Sequence, residues 1–189
     1  YLEEADPAEI RRDMAGFVHR FAGERHMTAL LWAVRNVLAR YGSLERCFRM
    51  HLQACGHRMH PALCGFSADL RRGGEWGDPG HLVACPEKGS ACKRMHLFLR
   101  WMVREDQVDP GGWEGLSPAS LIVPLDTHMF RMCKSLGFTG RSQPDMKTAV
   151  EITEAFREFS PQDPVKYDFV LTRFGIRKDL SGSEEQIFA

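Results

Sequence analysis

An all-α fold is what this sequence predicts, on three observations. Apolar residues recur at three- and four-residue spacings through most of the chain, alternating runs of strand type are almost absent, and the helical runs are bounded by N-cap residues, prolines and glycines. The 189 residues, 43% of them apolar, can bury one good core, as one domain or two small lobes. The reading adopted is a single helical domain over residues 1–189.

Asp6-Pro7 reads as an N-cap followed by proline at the first helical position, opening a helix over 8–21 with Ile10, Met14, Phe17, Val18 and Phe21 inward. A second helix over 28–40 carries Leu30, Leu31, Val34, Val37 and Leu38 and stops at Tyr41-Gly42. Ser43 caps a third over 44–54, with Leu44, Cys47, Phe48 and Leu52 inward. His60-Pro61 opens a fourth, ending at Arg71-Arg72, and the turn-rich stretch 73–80 is a loop. After a tight turn at 86–90, a helix over 91–104 sets Met95, Phe98, Leu99 and Met102 on one face. Lys93, His96, Arg100 and Arg104 lie on the other, the pattern of a solvated stripe. Asp109-Pro-Gly-Gly112 breaks the chain, and Leu121 to Val123 lead to Pro124 and a helix over 127–136 ended by Gly137. Helices over 145–159 and 165–174 close the sequence.

Lysine plus arginine balances aspartate plus glutamate, 25 against 25, which argues against a broadly basic nucleic-acid binder and leaves room only for a local basic face. Six irregularly spaced cysteines, with no secretory signal and no long apolar run, point to reduced thiols in a bacterial cytoplasm and to no membrane partner. The chain opens at Tyr1 on a helical pattern already under way, which reads as a fragment. Cys47, His51, Cys55, His57, His60 and Cys64 cluster in sequence, and Cys47 and His51 are at helical i, i+4. No Cys-x-x-Cys or His-x-x-x-His follows, so these residues are assigned to apolar faces and no metal or other cofactor is expected. Phosphate-binding glycine loops and nucleophile elbows are absent.

What remains is Lys93 at the start of one helix and Asp126, 33 residues later, at the start of another. Asp126 fits an N-cap, whose carboxylate faces free N–H groups and the positive end of the helix dipole and stays ionised. A carboxylate held charged in this way is also suited to stabilising positive charge in a transition state.

Pro124-Leu-Asp-Thr-His-Met-Phe-Arg131, followed by Leu136-Gly137, resembles the Val-Asp-Thr-His segment of the helix-hairpin-helix DNA glycosylases, the superfamily of endonuclease III and the 8-oxoguanine glycosylases. The resemblance implies a helix-hairpin-helix glycosylase-like helical domain, with the hairpin near 81–104 and the Asp-capped helix from 126. It implies Asp126 as a catalytic carboxylate and Lys93 as the Schiff-base nucleophile, with Lys88 the rival. The spacing of the pair is nearest to that of the archaeal 8-oxoguanine glycosylases. Gly89-Ser-Ala-Cys-Lys-Arg94, Phe98-Leu-Arg-Trp-Met-Val-Arg104 and Asp163-Pro-Val-Lys-Tyr-Asp168 also resemble a bacterial family known only as a domain of unknown function, over residues 15–178. That family carries a further N-terminal segment, which this chain is expected to lack.

On this resemblance the expected partner is duplex DNA with a damaged base, bound by a monomer in the bacterial nucleoid. Lys88, Gly89, Ser90, Arg94, Arg100, His128 and Arg131 are the expected DNA contacts, and Lys166 and Asp168 the base pocket. Pro86-Glu87-Lys88-Gly89 departs from the Leu-Pro-Gly-x-Gly hairpin in having one glycine and an acidic residue, which weakens the phosphate anchor. Trp101 and Phe98 are assigned to the core. The implied activity is excision of an oxidised purine with β-elimination. Two other readings stand beside it: the same fold acting on a modified nucleoside or RNA, and a non-catalytic helical nucleic-acid-binding module.

Overall fold

The computed structural model describes residues 1–176, the side chains of the last three excepted. Eight α-helices and one two-residue-per-strand hairpin make up these residues together with short 3-10 turns, so the all-α class holds. The chain divides into two compact units, Tyr1–Lys88 and Gly89–Ala189.

In the first unit, α1 (Pro7–Asp13) opens on a reciprocal cap: Asp6 accepts from the Glu9 N–H at 2.9 Å and Glu9 accepts from the Asp6 N–H at 3.0 Å. The expected helix to residue 21 stops eight residues early. Gly16, at φ +75°, takes a left-handed conformation that a helix cannot continue through. The next residues form an antiparallel hairpin, β1 (Val18–His19) and β2 (Ala22–Gly23). Val18 and Phe21, expected inside, are therefore 78% and 87% exposed.

The next helix, α2 (Glu24–Tyr41), starts earlier than expected and ends at Gly42, φ +81°. Its deeply buried stripe is Ala29, Ala33, Val37 and Tyr41, while Leu30, Leu31, Val34 and Leu38 are half-buried. Helix α2 packs against α1, α3 (Leu44–Ala54) and α4 (Met59–Leu70). Helices α3 and α4 form a hairpin in which Phe48 meets Phe66 edge to face at 5.4 Å. The region 81–88 contains only two 3-10 turns, Gly80–Leu82 and Pro86–Lys88.

In the second unit, Ser90 pairs with Asp145 in an isolated antiparallel bridge and Cys92 sits at φ +47°. Helix α5 (Lys93–Val103) consequently begins two residues later than the sequence predicts. Residues 121–125 are buried and lie outside any helix or strand, and the Val123 N–H donates to Thr153 Oγ1 at 3.0 Å. Helix α6 (Thr127–Ser135) follows; α7 (Met146–Phe159) is capped by Asp145, which accepts from the Thr148 N–H at 2.8 Å. Turns after Asp163-Pro164 delay the last helix, α8 (Asp168–Ile176), which packs against α6.

Candidate functional site

Two helix N-termini in the second unit bring the site together. Asp126 is the N-cap of α6, and its two carboxylate oxygens divide the work. Oδ1 accepts from the Met129 N–H at 2.8 Å, and Oδ2 accepts from Lys93 Nζ at 2.6 Å. The N-cap read from the sequence and the ion-pair partner of Lys93 are thus the same group. The Lys93 side chain is 40% exposed and that of Asp126 21%, so the pair lies at a surface open to a ligand. Burial works to raise the Asp126 carboxyl, but the hydrogen bonds from Lys93 and Met129 outweigh it and hold the group below the ordinary carboxylate value. It is a carboxylate at neutral pH.

Beside this pair opens a cleft of about 400 Å³. Lys93, Leu97, Trp101, Asp168, Phe169 and Thr172 are among the residues lining it. Trp101, assigned to the core rather than to a stacking platform, is instead 42% exposed and presents an aromatic wall. Phe98 does pack internally, edge to face with Trp113 at 5.6 Å. Sequence reasoning missed Trp101 because a tryptophan one turn from an apolar stripe looks the same whether its neighbour is core or cleft.

Beyond Lys93, the polar face of α5 is not solvated. His96, Arg100 and Arg104 are 1%, 2% and 7% exposed. Arg100 grips Asp109 through Nε at 3.1 Å and Nη2 at 3.0 Å, and also donates to Asp168. Arg104 donates to Asp109, to Asp163 at 2.9 Å and to Asp106 at 2.8 Å. Arg100, an expected DNA contact on the resemblance, lines the cleft but has its guanidinium bound to two carboxylates, Asp109 and Asp168. The partners lie 9 and 68 residues away, beyond any periodicity in one helix.

Asp168 does reach the cleft, though Arg100 binds its Oδ2 and Thr172 donates to its Oδ1 at 3.3 Å. Burial pushes its carboxyl up against the pull of Arg100. Lys166 is exposed with its ammonium 5.9 Å from the Tyr167 ring, and it is not among the cleft residues. Of the other expected contacts, Gly89, Ser90, Arg94, His128 and Arg131 are exposed on the second unit. Ser90 Oγ accepts from the Cys92 N–H at 3.2 Å, and Gly89 takes φ +78°. Lys88 is exposed at the end of the first unit.

Among the described residues no helix is long and apolar enough to cross a membrane. No curated protein and no solved structure matches the chain. One family model does, over residues 1–177, nearly the full length, and the chain belongs to that family, described as Protein of unknown function (DUF2400).

Proposed function

We propose that the protein is a base-excision glycosylase and lyase of helix-hairpin-helix type that removes an oxidised purine such as 8-oxoguanine from duplex DNA. The observation that carries this reading is the 2.6 Å contact between Lys93 and Asp126 at the mouth of an aromatic-walled cleft. A Schiff-base glycosylase needs an amine, a permanently ionised carboxylate beside it, and a recess for an unstacked base. Lys93, Asp126 and the cleft bounded by Trp101 and Phe169 supply these three parts.

In this mechanism Lys93 attacks as the free amine, its ammonium proton lost to solvent from the 40% exposed side chain, while Asp126 stays ionised and orients Nζ through their hydrogen bond. The freed lone pair attacks C1′ of the sugar, the C1′–N bond breaks, and its electron pair leaves with the base. The carboxylate offsets the positive charge that builds on the sugar ring as that bond lengthens. A proton passes from Nζ to the ring oxygen as the C1′–O4′ bond breaks, leaving an iminium between Nζ and C1′, and loss of a proton from C2′ then breaks the C3′–O bond and expels the 3′ phosphate. The exposed groups Ser90, Arg94, His128 and Arg131 are the candidates for backbone contacts on the second unit.

Borohydride reduction on duplex DNA carrying 8-oxoguanine tests the reading directly. The expected result is a covalent protein–DNA adduct formed by the wild type and by Lys88→Gln, but not by Lys93→Gln. Absence of an adduct on 8-oxoguanine and on a panel of other lesions overturns it. The balanced charge of the chain favours a second reading, a modified nucleoside as substrate, for which binding would lack the steep salt dependence of a duplex.

A further inference from the structure

In the first unit, far along the sequence from Lys93 and Asp126, three ligand-type side chains meet. Cys47 Sγ, His51 Nε2 and a carboxylate oxygen of Asp69 all lie within 4.8 Å of one another. Cys47 and His51 stand one turn apart on α3, and Asp69 is near the end of α4, so the antiparallel hairpin of these two helices closes around them. Cys47 is fully buried, the Asp69 side chain is 8% exposed and that of His51 26%, so the imidazole is the most exposed of the three.

The two oxygens of Asp69 face different partners. Oδ1 is turned toward Arg72 at 3.2 Å and Arg40 at 3.9 Å, both largely exposed. Oδ2 is the focus of three donors: Tyr41 OH at 2.8 Å, His51 Nε2 at 2.8 Å and Cys47 Sγ at 3.7 Å. A carboxylate oxygen has two lone pairs, so three donors converging on one atom exceed what it accepts with good geometry. A cation placed between Cys47, His51 and Oδ2 removes the excess, because the sulfur and the ring nitrogen then turn lone pairs rather than protons inward.

We propose that Cys47, His51 and Asp69 form a binding site for a divalent cation of the zinc class. Tetrahedral zinc with bonds of about 2.0–2.3 Å sets its sulfur and oxygen ligands about 3.5 Å apart and its nitrogen and oxygen ligands about 3.3 Å apart. The 3.7 Å sulfur–oxygen distance is already near that value; the 2.8 Å nitrogen–oxygen distance opens by about 0.5 Å, a movement within reach of the partly exposed His51. One thiolate, one imidazole and one carboxylate are a mixed sulfur, nitrogen and oxygen set that selects zinc over magnesium or calcium. The dication, thiolate and carboxylate sum to zero charge, and Arg40 and Arg72, on the far oxygen and in solvent, are screened.

Gly65 is the second observation. A Cβ added there would lie 2.3 Å from His51 Nδ1, so only glycine lets the imidazole lie flat on α4 with Nε2 directed at Asp69. Ligation needs the thiolate, so the Cys47 thiol gives up its proton when the metal binds. Binding transfers that proton to buffer and forms the sulfur–metal bond, with no oxidant or reductant needed. The imidazole shifts its proton from Nε2 to Nδ1.

The test uses the full chain, chelator-treated and titrated with zinc and with cobalt. The expected result is one equivalent bound, release of a proton measured by calorimetry in two buffers, a cobalt–thiolate charge-transfer band, and a rise in melting temperature with zinc but not with magnesium. Cys47→Ser and His51→Gln should each weaken zinc binding by about 100-fold or more and abolish the cobalt band. Absence of zinc binding at equimolar protein overturns the proposal, and so does stoichiometric binding left unchanged in Cys47→Ser, which would place the ion on other cysteines. If one variant fails to fold, the cobalt spectrum of the other decides: loss of the thiolate band supports the site, and a band unchanged from wild type refutes it, as does absence of the band in the wild type.

Discussion

Asp126 has two roles that one substitution separates from the other. Asparagine is as good an N-cap as aspartate, so Asp126→Asn keeps the hydrogen bond to the Met129 N–H and removes only the charge facing Lys93. The Lys93 side chain is 40% exposed, so after solvent screening the ion pair contributes about 0.5 kcal/mol. Asp126→Ala loses the cap as well, a further cost of about 1 kcal/mol. Urea unfolding, with its slope unchanged, should therefore place the alanine variant about 1 kcal/mol below the asparagine variant, and the asparagine variant close to wild type. Borohydride trapping should separate them differently: both should lose the adduct, because both lose the charge. If Asp126→Asn traps DNA as the wild type does, the carboxylate is a cap and nothing more, and the proposed chemistry fails.

Asp109 is fully buried and receives both Arg100 and Arg104, so Asp109→Ala leaves two guanidiniums short of a partner. Each keeps another carboxylate, and a loss of about 3 kcal/mol in urea unfolding is expected, at the low end for a broken buried pair; a loss below about 0.5 kcal/mol would mean the network is unimportant. Trp101→Ala should raise KM for lesion DNA about tenfold through lost stacking, with stability within about 0.5 kcal/mol of wild type. An unchanged KM would remove Trp101 from the base site.

Asp69 and Asp126 both lie below their ordinary value of 3.8 in the folded protein. Their contribution to stability is fully present above that value and is lost as pH falls through the lowered folded values. The urea midpoint should fall below about pH 4, and Asp69→Asn with Asp126→Asn should flatten that fall. An acid limb identical in the double variant would assign it to other carboxylates.

The all-α class was legible because helix punctuation is local. Asp6, Ser43, Asp126 and Asp145 each accept from a backbone N–H three residues on, and that geometry needs nothing from the rest of the chain. Where the reading failed, a local rule met a conflicting one. Phe17, Val18 and Phe21 keep helical spacing, but Gly16 turns the chain first. The pairing of Lys93 with Asp126 was reached through a resemblance between motifs, since nothing in a 33-residue gap encodes a 2.6 Å contact.

By itself, then, the sequence determined where helices begin and end to within a few residues, the end of the first excepted, that Asp126 caps one of them, and that Lys93 starts another. Only the tertiary structure decided what the polar face of α5 does. Periodicity marks a face as polar, but whether it meets water or buried acids depends on residues far along the chain. Asp109 and Asp168 arrive from a loop and from the last helix and turn a solvated stripe into an internal ion network. The same holds for Cys47, His51 and Asp69: spacing set the first two on one helix face, and the packing of α3 against α4 brought the carboxylate that completes the set.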